Sequence, residues 1–224
     1  MEIDKLHPWP RSARDAIALQ KKLAPRVVLT PIVNAPRWIA GEDAAFSPDG
    51  TRVIAGVVLW DAVENCMIES RVASASCRFP YIPGLLSFRE LPGVLAAFRK
   101  LRRTPDVVLC DAQGIAHPRR LGLASHLGLW LNLPTIGCAK SRLCGEHDEP
   151  GQHKGGAAEL WHSGERVGTV LRTRDRVKPL YISPGHLCDH EAAVAQTLRY
   201  AVKYRLPEPT RLAHQLVTSA RTTN

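Results

Sequence analysis

The 224-residue chain has no apolar run near the roughly 18 residues expected of a membrane-spanning helix, so no membrane partner is expected. The N-terminal stretch Met1-Glu2-Ile3-Asp4-Lys5 lacks the apolar core of a secretory signal. Six cysteines, at 66, 77, 110, 138, 144 and 188, include no C-x-x-C pair, which excludes zinc-ribbon and thioredoxin-type arrangements. Cys110 and Cys138 lie in apolar runs and read as small buried hydrophobes. Free thiols suit a reducing cytosol. Internal repeats and low-complexity linkers are missing too. Acidic residues are in deficit: 21 Asp and Glu against 30 Lys and Arg leave a net charge of +9. That surplus points to a polyanionic partner, nucleic acid first; the plainer alternative is a basic soluble protein without one.

What is present is ordinary for a globular protein: 45% hydrophobic and 23% charged residues fit one sizeable core. The expectation is a single domain over residues 1–224, cytoplasmic and monomeric.

The stretch from Asp106 to Pro118 organises the chain. Val107, Val108, Leu109 and Cys110 form an apolar run without Gly or Pro, which reads as a buried parallel strand covered on both faces. It stops at Asp111; Gln113 and Gly114 break it, and His117-Pro118 leads into an apolar, helix-like segment. Ligands gather beyond the carboxyl ends of strands in open α/β sheets. A carboxylate there can hold a hard cation, and a His in the next loop can reach the same spot. The plainer reading makes Asp111 a turn cap and His117 a surface residue.

Taken in order, residues 12–23 read as a helix, with Ser12 and Asp15 at capping-box spacing. Pro25 to Pro36 carries breakers and reads as an irregular link. Three strands follow, over 38–46, 52–60 and 67–73, with turns at 47–50 and 61–65, so an antiparallel meander is expected. Asp43 falls inside the first of them, where a buried carboxylate needs a partner; a metal ion is one. Its neighbour Glu42 points to the opposite face. Pro80 and Pro83 stiffen the loop that presents Tyr81; alternatively, Tyr81 simply packs on the core. Residues 85–91 start a helix containing Glu90, with a kink or restart at Pro92 and an amphipathic continuation over 93–103. Strand 107–111, helix 121–131 and strand 134–138 make a βαβ unit, which places Lys140 at the same sheet end as Asp111. Residues 144–165 read as a surface loop, 167–172 and 179–183 as strands, 183–186 as a loop, and 190–203 and 208–220 as helices.

A meander followed by parallel strands and helices is the order of the ribonuclease-H-like α/β fold, a mixed sheet flanked by helices. There, a carboxylate on the first strand faces another at the end of the first parallel strand, as Asp43 and Asp111 would. The intervening helix adds Glu90. Three carboxylates converging on hard cations suit phosphodiester hydrolysis.

Several segments carry a closer resemblance: Ala40-Gly41-Glu42-Asp43, the run from Phe79 to Glu90, the run from Asp111 to Pro118, Pro134 to Lys140, Tyr181 to His186, and Tyr204 to His214. With these the chain resembles the endonuclease V family of deoxyinosine 3′-endonucleases, from Leu6-His7-Pro8-Trp9 almost to the C-terminus. The resemblance implies Mg²⁺- or Mn²⁺-dependent cleavage of deoxyinosine-containing DNA, in double or single strands. The cut falls at the second phosphodiester bond 3′ to the lesion and leaves 3′-hydroxyl and 5′-phosphate ends. It also implies Asp43, Glu90 and Asp111 as metal-holding catalytic carboxylates, with His117 and Lys140 contributing to catalysis. Tyr81 matches the wedge residue at the lesion. Pro80, Ile82, Gly84, Leu86, Gly114, His117, Lys140, Ser183 and His214 match positions on the substrate side. The chain departs from the family at Glu42, where members carry a small or apolar residue; on a covered sheet face Glu42 needs a partner. Two alternatives stay open on the residues: inosine in RNA as the substrate, and a catalytically silent nucleic-acid-binding protein.

Overall fold

The computed structural model describes residues 1–222. Helix α1 (Ala13–Leu23) is capped by Ser12, whose Oγ accepts from Asp15 N at 3.1 Å and donates to the Asp15 carboxylate at 2.7 Å. The Asp15 carboxylate thus reaches the Ser12 hydroxyl and not its backbone N–H, so only the serine half of a capping box forms. Strands β1 (Trp38–Phe46), β2 (Arg52–Asp61) and β3 (Cys66–Ser76) form the expected meander. Next come α2 (Ser87–Arg99), β4 (Val107–Cys110), α3 (Leu123–Leu131) and β5 (Thr135–Ala139). The chain ends with β6 (Ala157–His162), β7 (Glu165–Leu171), β8 (Leu180–His186), α4 (His190–Tyr200) and α5 (Glu208–Thr222). All eight strands join one mixed sheet in the order β3-β2-β1-β4-β5-β8-β7-β6. β1, β4 and β5 run parallel and the remaining pairings are antiparallel, a ribonuclease-H-like arrangement.

The core divides by side-chain alternation. Ala40, Val108 and Cys110 pack under α2 and α3 with Leu91, Leu95, Phe98 and Leu127. Ile39, Val107, Leu109, Ile136 and Cys138 pack on the other face, toward α4. The central strands are therefore covered on both sides, which explains why β4 is uniformly apolar. α5 closes against β1: a Cβ on Gly41 would lie 2.1 Å from the Pro209 carbonyl carbon. Only glycine permits that approach, and it brings His214 of α5 to the carboxyl end of β1.

Three expectations are corrected. Of the kink or restart expected at Pro92, the restart does not occur; Pro92 lies inside α2. An interior proline removes one hydrogen bond at a cost of about 3 kcal/mol, which the burial of Leu91, Val94, Leu95 and Phe98 offsets. The surface loop over 144–165 contains β6, an outer strand with Leu160 as its only fully buried residue. Residues 183–186 are not a loop but the end of β8; Pro184 is tolerated where the β5–β8 register shifts.

A buried polar chain runs beneath the start of α2. Ser87 Oγ lies 3.0 Å from His126 Nδ1, His126 Nε2 lies 2.7 Å from His7 Nε2, and His7 Nδ1 lies 2.9 Å from Pro8 O. One proton fits between the two Nε2 atoms, so both rings are neutral when Ser87 and His126 donate along the chain. Burial lowers the pKa of both, and for His126 the neighbouring His7 lowers it further. In the unfolded chain these rings protonate near pH 6.5, so the folded state binds fewer protons below that pH. Stability present above pH 6.5 is therefore lost as pH falls, by about 1.4 kcal/mol per pH unit for each proton taken up on unfolding. An NMR titration should find His126 still neutral at pH 5; a protonated ring in the folded protein would refute this hydrogen-bond direction.

Candidate active site

The β1–β4 register builds the site. Glu42 pairs with Cys110 across the parallel strands, so the next residues, Asp43 within β1 and Asp111 just past the end of β4, lie side by side. Asp43 accepts from His214, with Oδ2 and Nδ1 2.7 Å apart. Asp111 is bonded by the Lys140 ammonium, which follows β5. One ligand atom from each of Asp43, Asp111 and His214 lies within 4.8 Å of the others. Glu90, expected as the third metal-holding carboxylate, is not in that trio; it reaches the same cavity from the first turn of α2. His214, expected on the substrate side, takes the third place.

The electrostatics follow from crowding. Removal from water, then the charges of Asp43 and Asp111, push the Glu90 carboxyl up to about 8. Burial raises Asp111 as well, against the opposing pull of Lys140. Glu42 is only 2% exposed and turns away from the cavity, as alternation requires. Its partner is the Cys110 thiol. Burial, then the charges of Glu90 and Asp43, lift its pKa well above the carboxylate range, so Glu42 is held protonated.

A cavity of about 450 Å³ opens beside the carboxylates and is walled by two loops. Tyr81, Ile82, Gly84 and Leu86 come from one; Gln113 and His117 come from the other. Tyr81 is 69% exposed at the rim, so it does not pack on the core. The Arg89 guanidinium stands 5.9 Å from its ring centroid and is anchored to Phe79 O at 3.0 Å. Gly84 adopts φ +77°, a left-handed turn that glycine makes readily.

Other expected residues sit elsewhere. His117 does not join Asp111: its Nε2 bonds Gly84 O at 2.9 Å and its Nδ1 accepts from Arg119 N at 3.1 Å. With both nitrogens committed and its pKa lowered by burial to about 4, it acts as a wall of the cavity. Ser183 is fully buried in β8 and accepts from Gly114 N at 2.8 Å. These two residues hold the turn after β4 in place; neither they nor Pro80 lines the cavity. Sequence reasoning missed Gln20 of α1, which lines the cavity, and Arg119, which bonds it. Neither belongs to a periodic pattern or a charge cluster that would single it out.

Comparison with known proteins fits this geometry. The endonuclease V family model matches residues 21–215. Endonuclease V of Nostoc punctiforme is 47% identical over 220 residues, 98% of this chain and 100% of that protein. The crystal structure of endonuclease V from Streptomyces avermitilis has a TM-score of 0.91 and 41% identity, covering 96% of this chain and 95% of that one. Ciona intestinalis endonuclease V, in complex with a 24mer DNA containing an inosine followed by a ribo-adenosine, shares the fold at a TM-score of 0.81 and 22% identity. It covers 94% of this chain and 98% of that one. A family match over most of the chain, together with near-half identity along its length, means that the chain belongs to the endonuclease V family and is a nuclease.

Proposed function

We propose that the chain is a divalent-metal-dependent endonuclease of DNA repair that recognises deoxyinosine. It hydrolyses the second phosphodiester bond 3′ to the lesion, as a single monomeric domain in the cytoplasm. The observation that carries the reading is the position of a 450 Å³ cavity, rimmed by exposed Tyr81, directly beside the Asp43–Asp111–His214 cluster. A pocket with room for an extruded base and a phosphate-hydrolysing centre would then act on one strand.

The donors fit a hard cation such as Mg²⁺ or Mn²⁺. Two carboxylates and an imidazole converge, and the crowding that raises Glu90 and Asp111 is relieved by positive charge there. Asp43 and Asp111 would hold the ion, with His214 beside them or orienting Asp43. When bound, such an ion acidifies water and neutralises charge on phosphate oxygens. The residues supply the rest. Glu90, whose carboxyl the ion would return to its charged form, would orient the attacking water and take its proton. Water adds to phosphorus as the bond to O3′ breaks; O3′ takes up a proton from solvent water, and the phosphate stays on the 5′ end of the downstream strand. The Lys140 ammonium faces the charge that builds on the phosphate.

Tyr81 is the lesion reader in this scheme. Hypoxanthine pairs weakly, so extruding it costs less than extruding a normal base, and a tyrosine on a proline-stiffened loop can stack in the vacated space. Tyr81→Ala should weaken inosine-DNA binding by about 1–3 kcal/mol without changing the thermal midpoint, because the ring is exposed. Unaltered affinity for inosine DNA in that variant would remove Tyr81 from recognition. The function itself is tested by incubating matched inosine-containing DNA and RNA strands with and without Mg²⁺ and mapping the ends. A cut two bonds 3′ to deoxyinosine is expected. Preferential cutting of the RNA would shift the substrate to inosine in RNA, and no metal-dependent cut in either would refute the proposal.

A further inference from the structure

One carbonyl at the cavity wall collects an unusual number of donors. Gly84 O accepts from His117 Nε2 at 2.9 Å, Gln20 Nε2 at 3.0 Å and Arg119 Nη2 at 2.8 Å, although a carbonyl has two lone pairs. Gln20 lies at the centre of this arrangement. It is 1% exposed, and its amide nitrogen donates both to Gly84 O, in the Tyr81 loop, and to Leu121 O at 3.1 Å, in the opposite wall. Its amide oxygen accepts from Arg119 Nε at 2.5 Å. A single side chain from α1 therefore bridges the two loops that bound the cavity. Among the described residues no carboxylate pairs with Arg119, so its guanidinium is held by neutral acceptors alone.

We propose that Gln20 is a positioning residue that sets base discrimination by fixing the distance between the Gly84 loop and Leu121 across the cavity. The inference rests on the reading of the cavity as a deoxyinosine pocket. Hypoxanthine is the guanine ring without its 2-amino group. A pocket can exclude one extra heavy atom by shape only if its walls cannot part, and such discrimination is inherently modest. The two N–H groups of Gln20 hold the walls at hydrogen-bond spacing from one amide. Loss of the amide leaves Gly84 O bonded directly to His117 and Arg119 of the second wall, so the walls stay tied there, but the link to Leu121 is gone and the pocket can widen at that end.

The test measures kcat/KM on matched strands carrying deoxyinosine or deoxyguanosine at one position, for the wild type, Gln20→Met and Gln20→Glu. Met preserves length and packing without the donors. Glu preserves the acceptor for Arg119 but sets a carboxylate against two carbonyls. The inosine-to-guanine ratio should fall about 10-fold in both, and amide hydrogen exchange over residues 79–86 should accelerate. A selective wild type with an unchanged ratio in either folded variant would overturn the role of Gln20 alone. A wild type that cuts both strands equally would overturn the pocket reading along with it. If Met fails to fold, the Glu variant decides, and equal loss on both strands there would mark Gln20 as merely structural.

Discussion

Asp43→Ala and Asp111→Ala should each abolish Mg²⁺-dependent cleavage while leaving the fold intact or slightly more stable. Asp43 lies within β1 and Asp111 just past the end of the neighbouring β4, and their ligand atoms sit together with that of His214. At the proposed metal site, removing either would delete a cation ligand, and with it the means of acidifying water and screening phosphate charge. Stability moves the other way because these acids repel. Asp43 and Asp111 both push Glu90 upward, so deleting one relieves a conflict that exists without the ion. Lys140→Ala removes a charge partner but no ligand, and about 10²–10³-fold in kcat is expected, the usual cost of losing one electrostatic contact to a reacting centre. Turnover with Mg²⁺ and thermal midpoints in EDTA separate these effects. Wild-type turnover from either Asp variant would dismantle the assigned centre.

Replacing Glu42 should stabilise the metal-free protein, and increasingly so at higher pH. Glu42 is buried on the α2 side of β1, with a thiol for a partner and carboxylates for neighbours. In the unfolded chain it titrates near 4.5, and in the folded chain far higher. Between those values the folded state binds the extra proton, so its stability falls as pH rises. Glu90 adds the same slope between about 4.5 and 8. Glu42→Val removes one such group and leaves an apolar side chain, which should gain about 1–3 kcal/mol. Urea unfolding in EDTA from pH 5 to 8.5 should show the variant's advantage growing with pH. Mg²⁺ should narrow the gap by favouring the charged acids. A variant less stable than wild type at every pH would mean that the Glu42–Cys110 contact is needed for packing.

The parts of the fold legible in the sequence were those written in local periodicity. The alternating meander, the unbroken apolar run of β4, the carboxylate inside the first strand and the one ending β4 led directly to Asp43, Asp111 and Lys140. The parts that stayed hidden depend on partners far away. β6 has too little buried surface to pattern its residues. Pro92 and Pro184 break local rules because packing and a register shift accommodate them. His117 looked like a reagent because its binding to a backbone carbonyl has no signature, and the same is true of Gln20 and Arg119. Glu42 was marked by its neighbours; only the structure supplied Cys110 as its partner.

The pairing of Asp43 with His214 spans 171 residues of sequence. Such contacts form late, since long loops must close before they are rewarded. A ribosome adds roughly 5–20 residues per second, so a nascent chain carries both aspartates for many seconds before the third member of the trio has been made. α5, the last element, completes the cluster. The three-residue cluster is therefore complete only once α5 has docked on β1, and its assembly reports that docking.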